Sequence, residues 1–176
     1  GNVFDISHGD VSFDVTALIT DDLSGVSGFS PGDFGSSYLT WSSPSGEQSV
    51  WARFDSNPSV NNNNYIFTEE VILPQYSETG TWTLESVSII DNVSNSTWAL
   101  SNDYIDEISK LGISADFEVI GSPSDRTSPV IESVDLSGNV FDISHGDVSF
   151  DVTALITDDL SGVSGFSPGD FGSSYL

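Results

Sequence analysis

The stretch Ile19–Phe29, ITDDLSGVSGF, returns unchanged at Ile156–Phe166 and carries the residues best placed for chemistry: Asp21 and Asp22 in the first copy, Asp158 and Asp159 in the second. Adjacent carboxylates in a glycine-containing loop offer side-chain oxygens and inward-turning carbonyls. That is the donor set of calcium, which takes six to eight oxygens at about 2.3 to 2.6 Å. The same composition also describes an ordinary polar turn, since Asp, Ser and Gly all favour turns. The spacing matches neither an EF-hand loop nor a glycine-rich nonapeptide array, so both readings stay open at this level.

Catalytic readings fail on their physical requirements. GFSPG, at Gly28–Gly32 and Gly165–Gly169, matches the G-x-S-x-G spacing of a nucleophile elbow, but the residue after the serine is Pro31 or Pro168. Proline has no N–H to give an oxyanion. His8, the nearby base, sits in the turn SHGD. Glu69 and Glu70 are adjacent on a strand and point to opposite faces, so they cannot flank one glycosidic bond. The chain therefore reads as a protein without enzymatic activity. Trp41, Trp51, Trp82 and Trp98 would suit a sugar-stacking platform, although core packing is their commoner use on strands. Asn92 and Asn95 match glycosylation acceptors (NVS and NST) but fall in a turn. The only lysine, Lys110, falls at the end of a segment with helical spacing rather than on a predicted core strand, which argues against an isopeptide crosslink.

Gly1–Leu39 recurs without a change as Gly138–Leu176, an offset of 137 residues. That offset is the size of a globular domain and far longer than a solenoid repeat, so it predicts a tandem array of whole domains. The boundaries read as a repeat over 1–121 that lacks its first strand, a linker over 122–129, and the start of the next identical repeat over 130–176. Charge sets the chain apart. Twenty-seven acids face three bases, Arg53, Lys110 and Arg126, for a net charge of −24. Such a surface repels nucleic acid and anionic membranes, and it repels itself unless cations or salt intervene. The chain has no cysteine, which excludes disulfides and thiolate metal sites. No apolar run approaches the roughly 18 residues of a membrane span, and no basic start with an apolar stretch marks a signal peptide.

The elements follow from period-two alternation. VSFDVTALI puts Val11, Phe13, Val15, Ala17 and Ile19 on one face and polar residues on the other. SYLTWSS and QSVWARFD flank the turn PSGE and predict a hairpin. SNPSVNNNN reads as a long exposed loop before the strand YIFTEEVIL; TWTLESVSII, STWAL, ISADFEVI and VIESVDL complete the set of strands. Asn102–Gly112, NDYIDEISKLG, has the only helical spacing and predicts one short helix. The fold class is then all-β: an antiparallel immunoglobulin-like β-sandwich with one short helix, in a tandem domain array.

In their order along one repeat period, DRTSPVIESVDLSG, VTALITDDLSGVSG, SPSGEQSVWARF, ILPQYSETGTWTLESVSIIDNVSN and ISKLGISADFEV resemble the bacterial immunoglobulin-like repeats of large secreted and cell-surface proteins. The resemblance spans essentially the whole period and implies an extracellular spacer or adhesin-type module, calcium-stiffened at domain poles and junctions; FSPGDFGSS reads as an insertion relative to that pattern. In such a sandwich the loop of Asp21 and Asp22 and the loop of Asp91, Asn92 and Asn95 meet at one pole, where they would hold a calcium ion. A junction ion shared by Asp125, Asp158 and Asp159 is the corresponding expectation for the linker. The expected location is extracellular or cell-surface, and the expected partner is the protein itself, head to tail, because a first copy without an equivalent of Val130–Leu136 leaves an open sheet edge. The alternative function is a glycan-binding module that grips surface sugars with the aromatic strands or with the FSPGDFGSS and SNPSVNNNN loops.

Overall fold

A computed structural model of the protein describes residues 1–28, 37–100, 115–121 and 123–164. The chain divides into two compact units, Gly1–Ser124 and Asp125–Leu176. The expected helix at 102–112 and most of the insertion at 29–37 lie outside the described residues.

Unit 1 is all-β, and no helix occurs among its described residues. Its strands are β1 (Asn2–Asp5), β2 (Val11–Thr20), β3 (Val26–Ser27), β4 (Tyr38–Ser42), β5 (Ser49–Arg53), β6 (Ser59–Asn61), β7 (Asn64–Leu73), β8 (Gly80–Asp91), β9 (Ser96–Leu100) and β10 (Phe117–Ile120). One sheet runs β1-β10-β8-β4-β5, with β3 and β9 also paired to the long β8; the other runs β2-β7-β6. The apolar face of β7 (Phe67, Val71, Leu73) and the inward faces of β4, β5, β8 and β10 (Trp41, Ala52, Trp82, Leu84, Phe117, Val119) form one buried cluster. Phe117 sits at its centre, with the rings of Phe4, Phe13, Trp41 and Trp82 at centroid distances of 5.4, 5.3, 6.1 and 6.0 Å. Both core tryptophans satisfy their indole N–H without leaving the apolar layer: Trp41 donates to the Ala115 carbonyl and Trp82 to the Glu78 carbonyl, each at 2.8 Å.

The predicted hairpin of β4 and β5 forms, with Trp41 opposite Val50. Two expectations are corrected. The sheets are not wholly antiparallel, because β1 lies parallel to β10. Parallel pairing needs a long connection rather than a hairpin, and more than a hundred residues separate these two strands. The SNPSVNNNN stretch is not all loop: Ser59–Asn61 pairs with β7 through a two-residue turn whose Asn62 and Asn63 take φ of 47° and 65°. Consecutive positive φ values suit the twist of a hairpin, and asparagine tolerates them. β6 carries no apolar alternation, so nothing in the pattern announces it.

Unit 2 contains β11 (Val130–Leu136) and β12 (Val152–Thr157), paired antiparallel with a bulge between Ile131 and Ser133. Ile131, Val134 and Leu136 remain 58%, 50% and 53% exposed.

Candidate metal centre

An aspartate that starts a tight turn folds its carboxylate back onto the amides two and four residues on. The repeated DDLSG loop does this in both units. Asp21 Oδ1 accepts from Leu23 N at 3.0 Å and Gly25 N at 2.7 Å, and Asp158 Oδ1 accepts from Leu160 N at 3.2 Å and Gly162 N at 2.6 Å. The loop closes through Gly25 and Gly162, at φ of 84° and 83°.

In unit 1 the structure brings this loop to the one after β8. Ser24 Oγ donates to Asp91 Oδ2 at 2.8 Å, Asn92 Nδ2 donates to the Ser24 carbonyl at 2.8 Å, and Asn95 Nδ2 donates to Asp91 Oδ2 at 2.6 Å. Asp91 Oδ1 also accepts from Val93 N at 3.0 Å and Asn95 N at 2.7 Å. Burial raises the pKa of Asp91, but the hydrogen bonds from Asn95, Ser24 and Val93 outweigh it and hold the carboxyl below its ordinary value. Asp21, Asp91, Asn92 and Asn95 thus share one hydrogen-bonded pole. The Asp22 side chain stands exposed, and only its carbonyl joins, accepting from Asn63 Nδ2 at 3.5 Å. The carboxylate oxygens of this pole are taken up largely by protein donors.

Unit 2 arranges the same loop differently. One carboxylate oxygen from each of Asp125, Asp158 and Asp159 lies within 4.8 Å of the other two, the only such acidic group among the described residues. Asp125 is 6% exposed. Its Oδ1 accepts from Thr127 N at 3.0 Å and Thr127 Oγ1 at 3.1 Å, and its Oδ2 accepts from Ser161 N at 2.8 Å. Thr127 Oγ1 also bonds Asp159 Oδ1. The Ser161 hydroxyl, followed by the amides of Thr127 and Ser161, lowers the Asp125 pKa from 3.8 to about 2. Asp158 Oδ2 is enclosed by protein and has no hydrogen-bond partner among the described residues. A carboxylate oxygen buried without a donor is costly, and three like charges this close repel one another. A divalent cation would remove both costs. The donors are all oxygen, from carboxylates and hydroxyls, which fits calcium or magnesium and not zinc or copper. Thr127 and Ser161 escaped the sequence reading; the signal was there in the serine three residues after the first acid of each loop (Ser24, Ser161), which only the fold shows to be a bridge.

The low pKa has a consequence for acid stability in chelator. Because the folded value lies below the ordinary 3.8, the contribution of Asp125 is complete above that value and is lost as pH falls through about 2. The Ser161 amide resonance is expected to titrate with a midpoint near 2, and Asp125→Asn to abolish the transition. A midpoint at the ordinary carboxyl value would mean that these hydrogen bonds do not form.

No family model, curated protein or solved structure matches the chain. Among the described residues no helix is long and apolar enough to cross a membrane.

Proposed function

We infer that the protein is a structural repeat module of a long extracellular adhesin or fibre. Its units are immunoglobulin-like β-sandwiches in tandem, and calcium at the Asp125–Asp158–Asp159 cluster ties the incoming segment to the first loop of the repeat it enters. The observation that carries this reading is the unpartnered, enclosed Asp158 Oδ2 beside two further carboxylates in a loop that the chain repeats. Further support comes from the net charge of −24, which divalent cations would relieve, and from the two facing sheets of unit 1. Calcium is favoured over magnesium because an irregular set of carboxylates and hydroxyls suits a flexible six- to eight-fold shell better than a rigid octahedron.

Calorimetry with calcium, magnesium and chelator tests this. A hundredfold excess of calcium over its dissociation constant is expected to stabilise by about 3 kcal/mol, with magnesium weaker. Asp158→Asn is expected to shrink the calcium shift. Coincident melting curves in calcium and chelator would end the cation reading. A glycan-binding role is the second reading, favoured by the exposed Trp51 and Trp98; sugar binding that persists in chelator and is lost in Trp98→Ala would select it.

A further inference from the structure

β1 lies parallel to β10, and the direction of that pairing decides how the two strands answer a pull. Asn2 sits opposite Phe117, Val3 opposite Glu118, Phe4 opposite Val119 and Asp5 opposite Ile120. Tension drawn through unit 1 enters at the Asn2 end of β1 and leaves at the Ile120 end of β10. In a parallel pair those are opposite ends, about 10 Å apart along the strands at about 3.3 Å per residue. The strands are then drawn past each other, and every bond of the ladder is stretched at once. Antiparallel strands would put both pulled ends side by side, and their bonds would open one after another, each at low force.

Which groups carry the ladder follows from alternation. Ile6 N donates to the Ile120 carbonyl at 2.9 Å. In the evenly spaced parallel pattern Ile6, Phe4 and Asn2 therefore turn their backbone groups toward β10, Ile120 and Glu118 turn theirs toward β1, and Val3 and Asp5 face away. Apolar side chains cover the ladder on its core side. Ile6 and Val119 are fully buried, and the Phe4 ring lies 4.3 Å from that of Phe13 and 5.4 Å from that of Phe117. Water, which would replace a stretched bond, is kept from that side. β10 is also seated on β8, with Phe117 opposite Trp82 and Val119 opposite Gly80, so the strand that takes the pull is held along both edges.

We propose a further function for this pair: β1 and β10 form a shear clamp that bears tension along the array, and unit 1 unfolds under load by the parting of these two strands while the rest of the sandwich is still intact. The inference rests on the tandem-array reading, because a repeat is loaded in this way only when the chain is held on both sides of it. Inside the array the copy of β1 at Asn139–Asp142 follows β11. In a repeat with both strands β11 is drawn along its own axis against β12 first, and the load passes to the β1–β10 pair when that pairing gives way.

Single-molecule pulling on the full chain tests this, in chelator so that the result does not depend on the cation. The chain has no cysteine, so handles attach only at Gly1→Cys and Pro123→Cys, which flank the clamp and leave unit 2 unloaded. Ile120→Pro removes a ladder N–H at an exposed side chain and is expected to speed unfolding at a given force at least about tenfold. Val3→Pro, also exposed but with its N–H turned away from β10, is expected to stay within about twofold of the parent. Val50→Ala opens the core at β5, on the other edge of the sheet. It is expected to speed unfolding in urea, where the whole core comes apart, and to leave the rate under load within about twofold of the parent. Circular dichroism checks that each variant is folded. Unfolding under load that is no faster in Ile120→Pro than in Val3→Pro overturns the proposal. So does a Val50→Ala chain whose rate under load rises as much as its rate in urea, and that comparison decides alone if Ile120→Pro does not fold. Coincident melting curves in calcium and chelator would end the cation reading and leave this result untouched.

Discussion

Phe117→Ala is expected to destabilise unit 1 by about 3 to 5 kcal/mol, the range for an aromatic side chain removed from a packed core. Phe117 is buried in β10, which joins β1 to β8, and its ring touches both sheets: Phe4, Trp41 and Trp82 on its own sheet, Phe13 on the facing one. Truncation leaves four aromatic neighbours around one void, and rings of that size cannot close it by rotamer changes alone. Phe117→Leu is expected to cost less because it keeps most of the volume. Urea denaturation followed by tryptophan fluorescence measures this, since Trp41 and Trp82 both lie beside the ring. Leu23→Ala serves as the surface control, at 95% exposure, and is expected to stay within about 0.5 kcal/mol of the parent. A Phe117→Ala chain as stable as the Leu23→Ala chain would mean that the two sheets do not share this core.

Gly121→Val is expected to cost nearly as much by a different route. Gly121 ends β10 at φ of 115°, a conformation that β-branched residues avoid, with strain of about 1 to 3 kcal/mol. A Cβ there would also meet Asp5 Oδ1 and lie 2.7 Å from Ser7 N. Asp5 Oδ1 accepts from Ser7 N at 3.0 Å and Ile6 N donates to the Ile120 carbonyl at 2.9 Å, so the added carbon must displace the turn that seats β1 on β10. Displacement of that kind adds about 1 to 3 kcal/mol. Gly46→Val separates the two contributions, because Gly46 has φ of 78° but nothing within 4 Å of its Cβ position. The difference in urea midpoint between the two variants reads the contact at Asp5 and Ser7. Identical midpoints would show that β1 is not held against β10.

The candidate site was legible in part. The acids at 158 and 159 were visible as a repeated pair, and Asp125 stood out as the acid of the linker. That Asp91 spends its oxygens on Ser24 and Asn95 while Asp158 keeps one oxygen unpartnered could not be seen, since identical loops differ only in what folds beside them. The main strands announced themselves by alternation, whereas β3 and β6 are two and three residues long and hold no pattern long enough to register.

The repeated segment separates local from tertiary causes more directly than any mutant could. The Asp5 and Asp142 turns each accept the amide two residues on, at 3.0 and 2.9 Å; the DDLSG loops close with the same bonds; and Phe4–Phe13 and Phe141–Phe150 pair at 4.3 and 4.8 Å. These features need only neighbours within nine residues, so the amino-acid order determined them in both units. The strands do not transfer in the same way. Asn2–Asp5 is β1, but its copy Asn139–Asp142 is no strand; Val11–Asp14 belongs to β2, but Val148–Asp151 is not paired as strand; Ile6 is 0% exposed and its copy Ile143 is 74% exposed. The physical reason is that a strand's backbone groups and apolar face are satisfied by a partner distant in sequence. Unit 1 supplies β10 and β7 as those partners, and the described residues of unit 2 supply only β11, so the same residues are core in one place and surface in the other.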